Sequence, residues 1–262
     1  MDLEERIIKD MQKTGFPLEI AAGTLFSEKG WKVSHQVLFY DEDERKSRKI
    51  DFLAHRAVAK SFRSFKGLLY DIVVECKKSD KPWIFYTPQS PSLREERNFS
   101  TLLYLKILSK PKMSPKQITS MLAHNHYIAK EPTDRIAQAS YIAFISEEGK
   151  DQIFTAVNQV PKALRYFMHV GESTIGFDVI RNALVVYYPV VVFDGKMYEC
   201  ILEEGKPQLK EANYVKYHTS FFGVTRESDN EKASEGFLID FVTKDFLPTY
   251  IEWLNEEIRL LE

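Results

Sequence analysis

The chain's 262 residues allow one large domain or two small ones with a substantial core, and 44% hydrophobic with 28% charged residues match an ordinary soluble globular protein. A formal net charge of -2 does not decide partners, because an average hides local fields. Two cysteines, Cys76 and Cys200, exclude a disulfide framework and a thiolate metal site, and fit a reducing cytoplasm.

Met1 to Lys13 mixes acids and bases, which excludes a secretory signal, and predicts an amphipathic helix from about Leu3 that ends near Gly15. A second helix is expected from Pro17, a residue suited to a first turn, to Gly30, with Leu18, Ala21, Ala22, Leu25 and Phe26 at helical spacing. Strands are expected over Trp31 to Tyr40 and Arg48 to His55, joined by the acidic tip Asp41 to Glu44. Ala57 to Lys66 reads as a basic loop or short helix. A third strand, Leu68 to Lys77, carries Ile72-Val73-Val74, an apolar run typical of strands buried on both faces. Trp83 to Tyr86 is a short fourth strand, with Trp83 and Phe85 expected in the core.

From Ser92 to about Asn182 the pattern turns mainly helical, with a capped start at Ser114 and further helices over Asp134 to Ser146 and Asp151 to His169. Pro161 should kink or split the last of these. Strands return at Ala183 to Phe193, Lys196 to Leu202, Leu209 to Tyr217 and Phe237 to Thr243, the first two joined by an Asp194-Gly195 turn. A closing helix runs from Asp245 to Leu261. The run Ala183 to Phe193 is about half the length that spans a bilayer, so no membrane segment is expected. This order favours one α/β domain over residues 1–262 with a helical insertion over residues 92–182.

Strand alternation puts Glu75 and Lys77 on one face and Val74 and Cys76 on the other. A carboxylate and an ammonium ending an apolar strand need partners, since burying them alone is costly. Asp51 is a second carboxylate inside a hydrophobic strand, Ile50-Asp51-Phe52-Leu53. If the two strands pair, Asp51 and Glu75 meet, and converging carboxylates suit a hard cation, Mg²⁺ or Mn²⁺.

These segments resemble the PD-(D/E)xK, or restriction-endonuclease-like, nuclease superfamily: Phe16-Pro17-Leu18-Glu19, then Ile50-Asp51, then Glu75-Cys76-Lys77. The resemblance covers Thr14 to Tyr86 and extends weakly to Tyr187 to Tyr198. Ile50 stands where the family's name has proline. The resemblance implies a three-layer core, a central mixed sheet flanked by helices. It implies Asp51 and Glu75 as metal ligands with the Cys76 carbonyl as a third, Lys77 as the catalytic lysine and Glu19 as an accessory acid. It also implies DNA over RNA as substrate, and a homodimer where both strands are cut.

Between Arg45 and Lys81 eleven Lys or Arg outnumber four Asp or Glu, a local +7 suited to a phosphate backbone. Arg45, Lys46, Arg48, Lys49, Lys60, Arg63, Lys66 and Lys78 are the expected nucleic-acid contacts. His124-Asn125-His126 lacks the ββα context of another nuclease class. Leu102 to Ile128 fits a small nucleic-acid reader no better than a packing insertion. Gln159, on a helix after the core, could face the site, with the solvent side favoured, and Cys200 is expected as a small buried residue. The expectation is therefore a metal-dependent nuclease; the alternatives are a silent nucleic-acid-binding or scaffold module, and a nuclease that requires a partner or activator.

Overall fold

The strand Gly67–Lys78 is buried along its first ten residues, and Ala183–Asp194 along its first eleven. Strands covered on both faces belong in the middle of a sheet, and they need helices or a second sheet on either side. The computed structural model describes residues 2–59, 67–88, 104–107, 136–144, 151–169, 183–221 and 235–259, and supplies both covers.

In chain order the elements are α1 (Leu3–Met11), α2 (Phe16–Glu28), β1 (Lys32–Asp41), β2 (Lys46–Ala59), β3 (Gly67–Lys78), β4 (Trp83–Tyr86), β5 (Tyr104–Ile107) and β6 (Ala139–Ile142). They continue as α3 (Gln152–His169), β7 (Ala183–Asp194), β8 (Met197–Glu203), β9 (Lys206–Ala212), β10 (Tyr214–Phe221), β11 (Glu235–Thr243) and α4 (Leu247–Arg259). A mixed sheet of seven strands runs β1-β2-β3-β7-β11-β10, with β5 also paired to β7. β3 lies parallel to β7 in continuous register from Gly67 opposite Ala183 to Lys78 opposite Asp194. β5 takes the free side of β7 at Leu184 to Tyr187, and β11 takes it at Val190 to Phe193. A smaller sheet, β6-β4-β8-β9, stands beside it.

The pleat sorts side chains into two cores. Leu68, Tyr70, Ile72, Val74 and Cys76 of β3 meet Leu18, Ala22 and Phe26 of α2 and Leu247, Tyr250, Ile251, Leu254 and Ile258 of α4. Leu69 and Val73 meet Val157, Val160 and Leu164 of α3, together with Trp83, Phe85 and Met197 of the small sheet. Trp83 stacks on Phe193 with ring centroids 3.8 Å apart, which fastens the small sheet to the large one. The result is three layers, a mixed sheet between a helical layer and a layer of helix and small sheet. No helix among the described residues is long and apolar enough to cross a membrane.

Several expectations change. Of Asp134 to Ser146, the described residues 136–144 hold no helix: Ala139–Ile142 is a strand on β4, where Ile142 opposite Trp83 closes the core, so sheet pairing overrides the local helical pattern. The stretch expected to be mainly helical also gives β5 to the central sheet, and α3 packs directly on that sheet. Pro161 lies inside one unbroken helix, whose buried face of Val160, Ala163 and Leu164 holds it together across the missing N–H. Leu209 to Tyr217 divides into β9 and β10 around Asn213. Tyr198, where the resemblance was expected to reach the central sheet, lies on β8 of the small sheet, and Cys200 is half-buried rather than buried. The Asp194-Gly195 turn needs glycine for room, since a Cβ there would stand 2.5 Å from the Ser79 carbonyl oxygen and against the Phe193 ring. Ser114, His124-Asn125-His126 and nearly all of Leu102 to Ile128 lie outside the described residues.

Candidate active site

β2 pairs with β3 from Ala59 as far as Phe52 opposite Val74, and the next step of that register would set Asp51 against Glu75. The pairing stops there. Asp51 instead turns its carboxylate to β3 and accepts the backbone N–H of Cys76 through Oδ2 at 2.6 Å. The side chain thus replaces a backbone acceptor, and the two strands part at the point where the acids sit. In a strand the N–H and C=O of one residue point to the same side, so the Cys76 carbonyl faces the side of Asp51.

Glu75 and Lys77 share a face, as alternation requires, and the Lys77 ammonium contacts Glu75 Oε1 directly. The Glu75 side chain is almost wholly enclosed, whereas that of Lys77 keeps 18% of its surface open. Glu75 Oε2 accepts from Gln159 Nε2 at 3.0 Å, and the same nitrogen donates to the Lys49 carbonyl at 2.7 Å. Gln159 therefore takes the less favoured of its two expected places: it is half-buried, faces the acids and ties α3 to both acidic strands.

Glu19 enters from the first turn of α2 and is buried. His35 Nδ1 lies 3.3 Å from its Oε1. The His35 ring rests over Gly23, where a Cβ would come within 2.7 Å of Nε2, so a glycine one turn on from Glu19 is what seats this ring. His35 also sits opposite Phe52 in the β1–β2 register, next to Asp51. Neither Gln159 nor His35 carries a local signal strong enough to select it; only the register of β1 on β2 and the placing of α3 bring them here.

The electrostatics bind these groups into one cluster. Burial, with the neighbouring Asp51 charge, raises the Glu19 carboxyl above its usual range, while His35 opposes the shift. Burial also raises Asp51, against the Cys76 N–H, Lys77 and His35. Glu75 is pushed up to about 7, chiefly by burial and further by the charges of Asp51 and Glu19, with Lys77 pulling the other way. Three carboxylates that discourage one another's ionisation form a place where added positive charge is favoured.

A hard cation fits this donor set. Among the described residues no group of three His, Cys, Asp or Glu side chains is arranged to hold a metal ion. The groups that could hold such an ion are two carboxylates, Asp51 and Glu75, and the Cys76 carbonyl, which would leave the rest of its coordination to other oxygens. Hydrogen bonds occupy both Glu75 oxygens, yet each oxygen keeps a second lone pair.

The expected nucleic-acid contacts divide. Arg48 is spent on structure: its Nε donates to buried Asp41 at 2.7 Å, and its Nη2 contacts Glu44. Lys46 pairs with Glu44 at 2.6 Å. Arg45 is exposed with a left-handed backbone (φ 51°) at the hairpin tip. Lys49 reaches Gln36 Oε1 at 3.3 Å and its charge acts on Glu19, whereas Lys78, next in sequence to Lys77, reaches the Gln12 carbonyl at 3.2 Å. Lys60, Arg63 and Lys66 lie outside the described residues. No protein-family model matches the chain, and neither a curated protein nor a solved structure matches it.

Proposed function

We propose that this chain is a metal-dependent nuclease that hydrolyses phosphodiester bonds, with DNA as its first substrate. The observation that carries the reading is the parting of β2 from β3 at Asp51, which gathers Asp51, Glu75, Lys77 and the Cys76 backbone at one sheet end, with Glu19 beside them. A purely structural ion pair would need Glu75 and Lys77 alone. It would not call for two further carboxylates that raise the cost of ionising Glu75.

Asp51 and Glu75, with the Cys76 carbonyl, would hold Mg²⁺ or Mn²⁺. When bound, such an ion lowers the pKa of a water molecule and neutralises charge on the phosphodiester. The Lys77 ammonium, partly open to solvent and held against Glu75, is placed to meet negative charge on the phosphate or the attacking water. Gln159 fixes one Glu75 oxygen and so the direction in which the carboxylate presents the other. Lys49 and Lys78 offer positive charge to the backbone. DNA in place of RNA rests on the superfamily resemblance.

A second reading is a module that binds nucleic acid without cutting it until a partner or activator docks. It is favoured by the engagement of both Glu75 oxygens by Lys77 and Gln159. One assay separates the two. Purified protein is incubated with supercoiled plasmid, linear duplex, single-stranded DNA and RNA, with Mg²⁺, Mn²⁺ or EDTA. Metal-dependent cutting is expected, lowered about 10²- to 10³-fold in Lys77→Ala and lost in Asp51→Ala. Cutting that survives both substitutions overturns the site assignment, and metal binding without cutting moves the conclusion to the second reading.

A further inference from the structure

Gln36 is the one residue of β1 with a left-handed backbone, φ 51°. That region is unfavourable for side chains other than glycine, asparagine or aspartate. The β1–β2 ladder pairs every residue from Lys32 to Asp41 except Gln36, which stands opposite Asp51 between the pairs His35–Phe52 and Val37–Ile50. Both strands change face at this step. Val33 and Phe52 pack in the core under α2, and the His35 ring lies over Gly23 of α2. Val37, Phe39 and Ile50 pack instead in the core under α3. In a regular strand His35 would share a face with Val37, and Ile50 with Phe52.

This change of face sets the direction of Gln36. Arg48 reaches the buried Asp41 that Lys162 of α3 also holds, and Ile50 packs under α3, so exposed Lys49 between them stands on the opposite, α2 side. Lys49 Nζ donates to Gln36 Oε1 at 3.3 Å, which puts the exposed Gln36 side chain on that side too. Two successive side chains, His35 and Gln36, thus share one side of β1, where alternation would separate them. His35 Nδ1 lies 3.3 Å from Glu19, and the Lys49 charge acts on Glu19, so Gln36 and Lys49 form the exposed rim of the acid cluster. With Oε1 engaged by Lys49, the Gln36 amide presents N–H groups beside an ammonium. A set of donors alone matches the acceptor-only oxygens of a phosphate.

We propose that Gln36 is a substrate-binding residue of the candidate active site, joined with Lys49 in a clamp on the backbone phosphate next to the one that is cut. The proposal deepens the nuclease reading and rests on it for the identity of the ligand.

Gln36→Gly is the informative variant, because glycine keeps the left-handed backbone and removes only the amide. Fluorescence anisotropy of a short labelled DNA duplex, with Ca²⁺ in place of Mg²⁺ and across a range of salt, reads binding, and the thermal midpoint reads folding. Gln36→Gly is expected to melt at or above the wild-type temperature and to raise Kd about 3- to 10-fold. Gln36→Glu, which sets an anion against the phosphate, should raise Kd further. Lys49→Ala should raise Kd and lower the slope of affinity against salt by about one. A wild type that binds duplex while Gln36→Gly and Gln36→Glu bind as tightly overturns the clamp and leaves the nuclease reading standing. So does a loss in Gln36→Gly that accompanies a lowered midpoint and is absent from Gln36→Glu. A wild type that binds no nucleic acid overturns both. The expected losses of binding in a protein that cuts nothing with Mg²⁺ or Mn²⁺ uphold the clamp and sink the nuclease reading.

Discussion

At residue scale the least conspicuous position at the site is Gly23. It lies within a helix, where alanine would ordinarily add up to about 1 kcal/mol of stability, yet a Cβ there collides with the His35 ring. That ring is about one-third exposed, so it can swing outward without disturbing the core. Gly23→Ala is therefore expected to melt near the wild-type temperature while releasing Glu19 from His35. In the nuclease assay it should lose about 10-fold in rate, a loss typical of removing a group that orients a site residue. His35→Asn, which keeps a donor near the Nδ1 position, should lose less. Equal activity of Gly23→Ala and wild type would show that the His35–Glu19 contact does not serve the site. The acids themselves were legible in the sequence, because a charge inside an apolar strand stands out wherever the fold takes it. Gln159 was legible only as an alternative, with the solvent side favoured. A glutamine on an amphipathic helix becomes a site residue only when the helix is set against the sheet, and that setting comes from side chains far away in the chain.

Those side chains belong to the element scale. The β1–β2 hairpin ends in Asp41, whose side chain is wholly buried and accepts the N–H groups of Asp43 and Glu44, each at 3.1 Å. Lys162 of α3 reaches Asp41 at 2.9 Å, and Arg48 reaches the same oxygen at 2.7 Å. Burial alone would push Asp41 up, but Lys162, the Glu44 N–H and Arg48 together hold it below its usual value. Lys162 stands one turn beyond Gln159, so this ion pair sets the rotation and height of α3 and delivers the glutamine to Glu75. Lys162→Met should cost about 1–3 kcal/mol by leaving a buried carboxylate short of a partner. It should also slow cleavage, with Asp51 and Lys77 untouched. The double variant Asp41→Asn with Lys162→Met removes both charges and should recover much of the stability, readable as the thermal midpoint. If Lys162→Met melts and cuts like wild type, α3 is positioned by its apolar face alone. Element types were read well where periodicity was long, as in β3, β7 and α2. Reading failed at β5 and β6, four-residue strands that exist because β7 and β4 had open edges to pair. A short segment's own pattern cannot show which distant edge it will complete.

At the scale of the whole molecule, α4 closes the helical layer with buried polar contacts as well as apolar ones. Tyr70 of β3 and Tyr188 of β7 both donate to Glu257 Oε1, at 2.9 and 2.7 Å. Tyr214 and Tyr250 both donate to Asp240, at 3.0 and 2.8 Å. Asn255 accepts from Trp31 at 3.0 Å and from Arg56 at 2.7 Å. Burial pushes Glu257 up to about 7, even though both tyrosine hydroxyls favour its charged form. The folded chain thus keeps a proton on Glu257 up to about pH 7, whereas the unfolded chain releases it near the ordinary value of 4.5. Between these values the native state binds more protons than the unfolded state, so stability falls as pH rises. Glu75 behaves alike for its own reasons, and each group removes on the order of 3 kcal/mol by the time it is fully charged. Asp41 works in the opposite sense, giving stability that is lost only as pH drops below its usual 3.8. The thermal midpoint in EDTA should therefore peak near pH 4 to 5 and decline toward pH 8. Glu257→Gln keeps an acceptor for both tyrosines without the charge, so it should flatten roughly half of that decline and melt above wild type at pH 8. Divalent metal distinguishes the two acids: it should restore midpoint at pH 8 in Glu257→Gln and wild type alike, but not in Glu75→Gln, where the candidate ligand is gone. An unchanged slope in Glu257→Gln would mean that the tyrosine pair holds Glu257 charged in the native state, and that the decline belongs to the site alone.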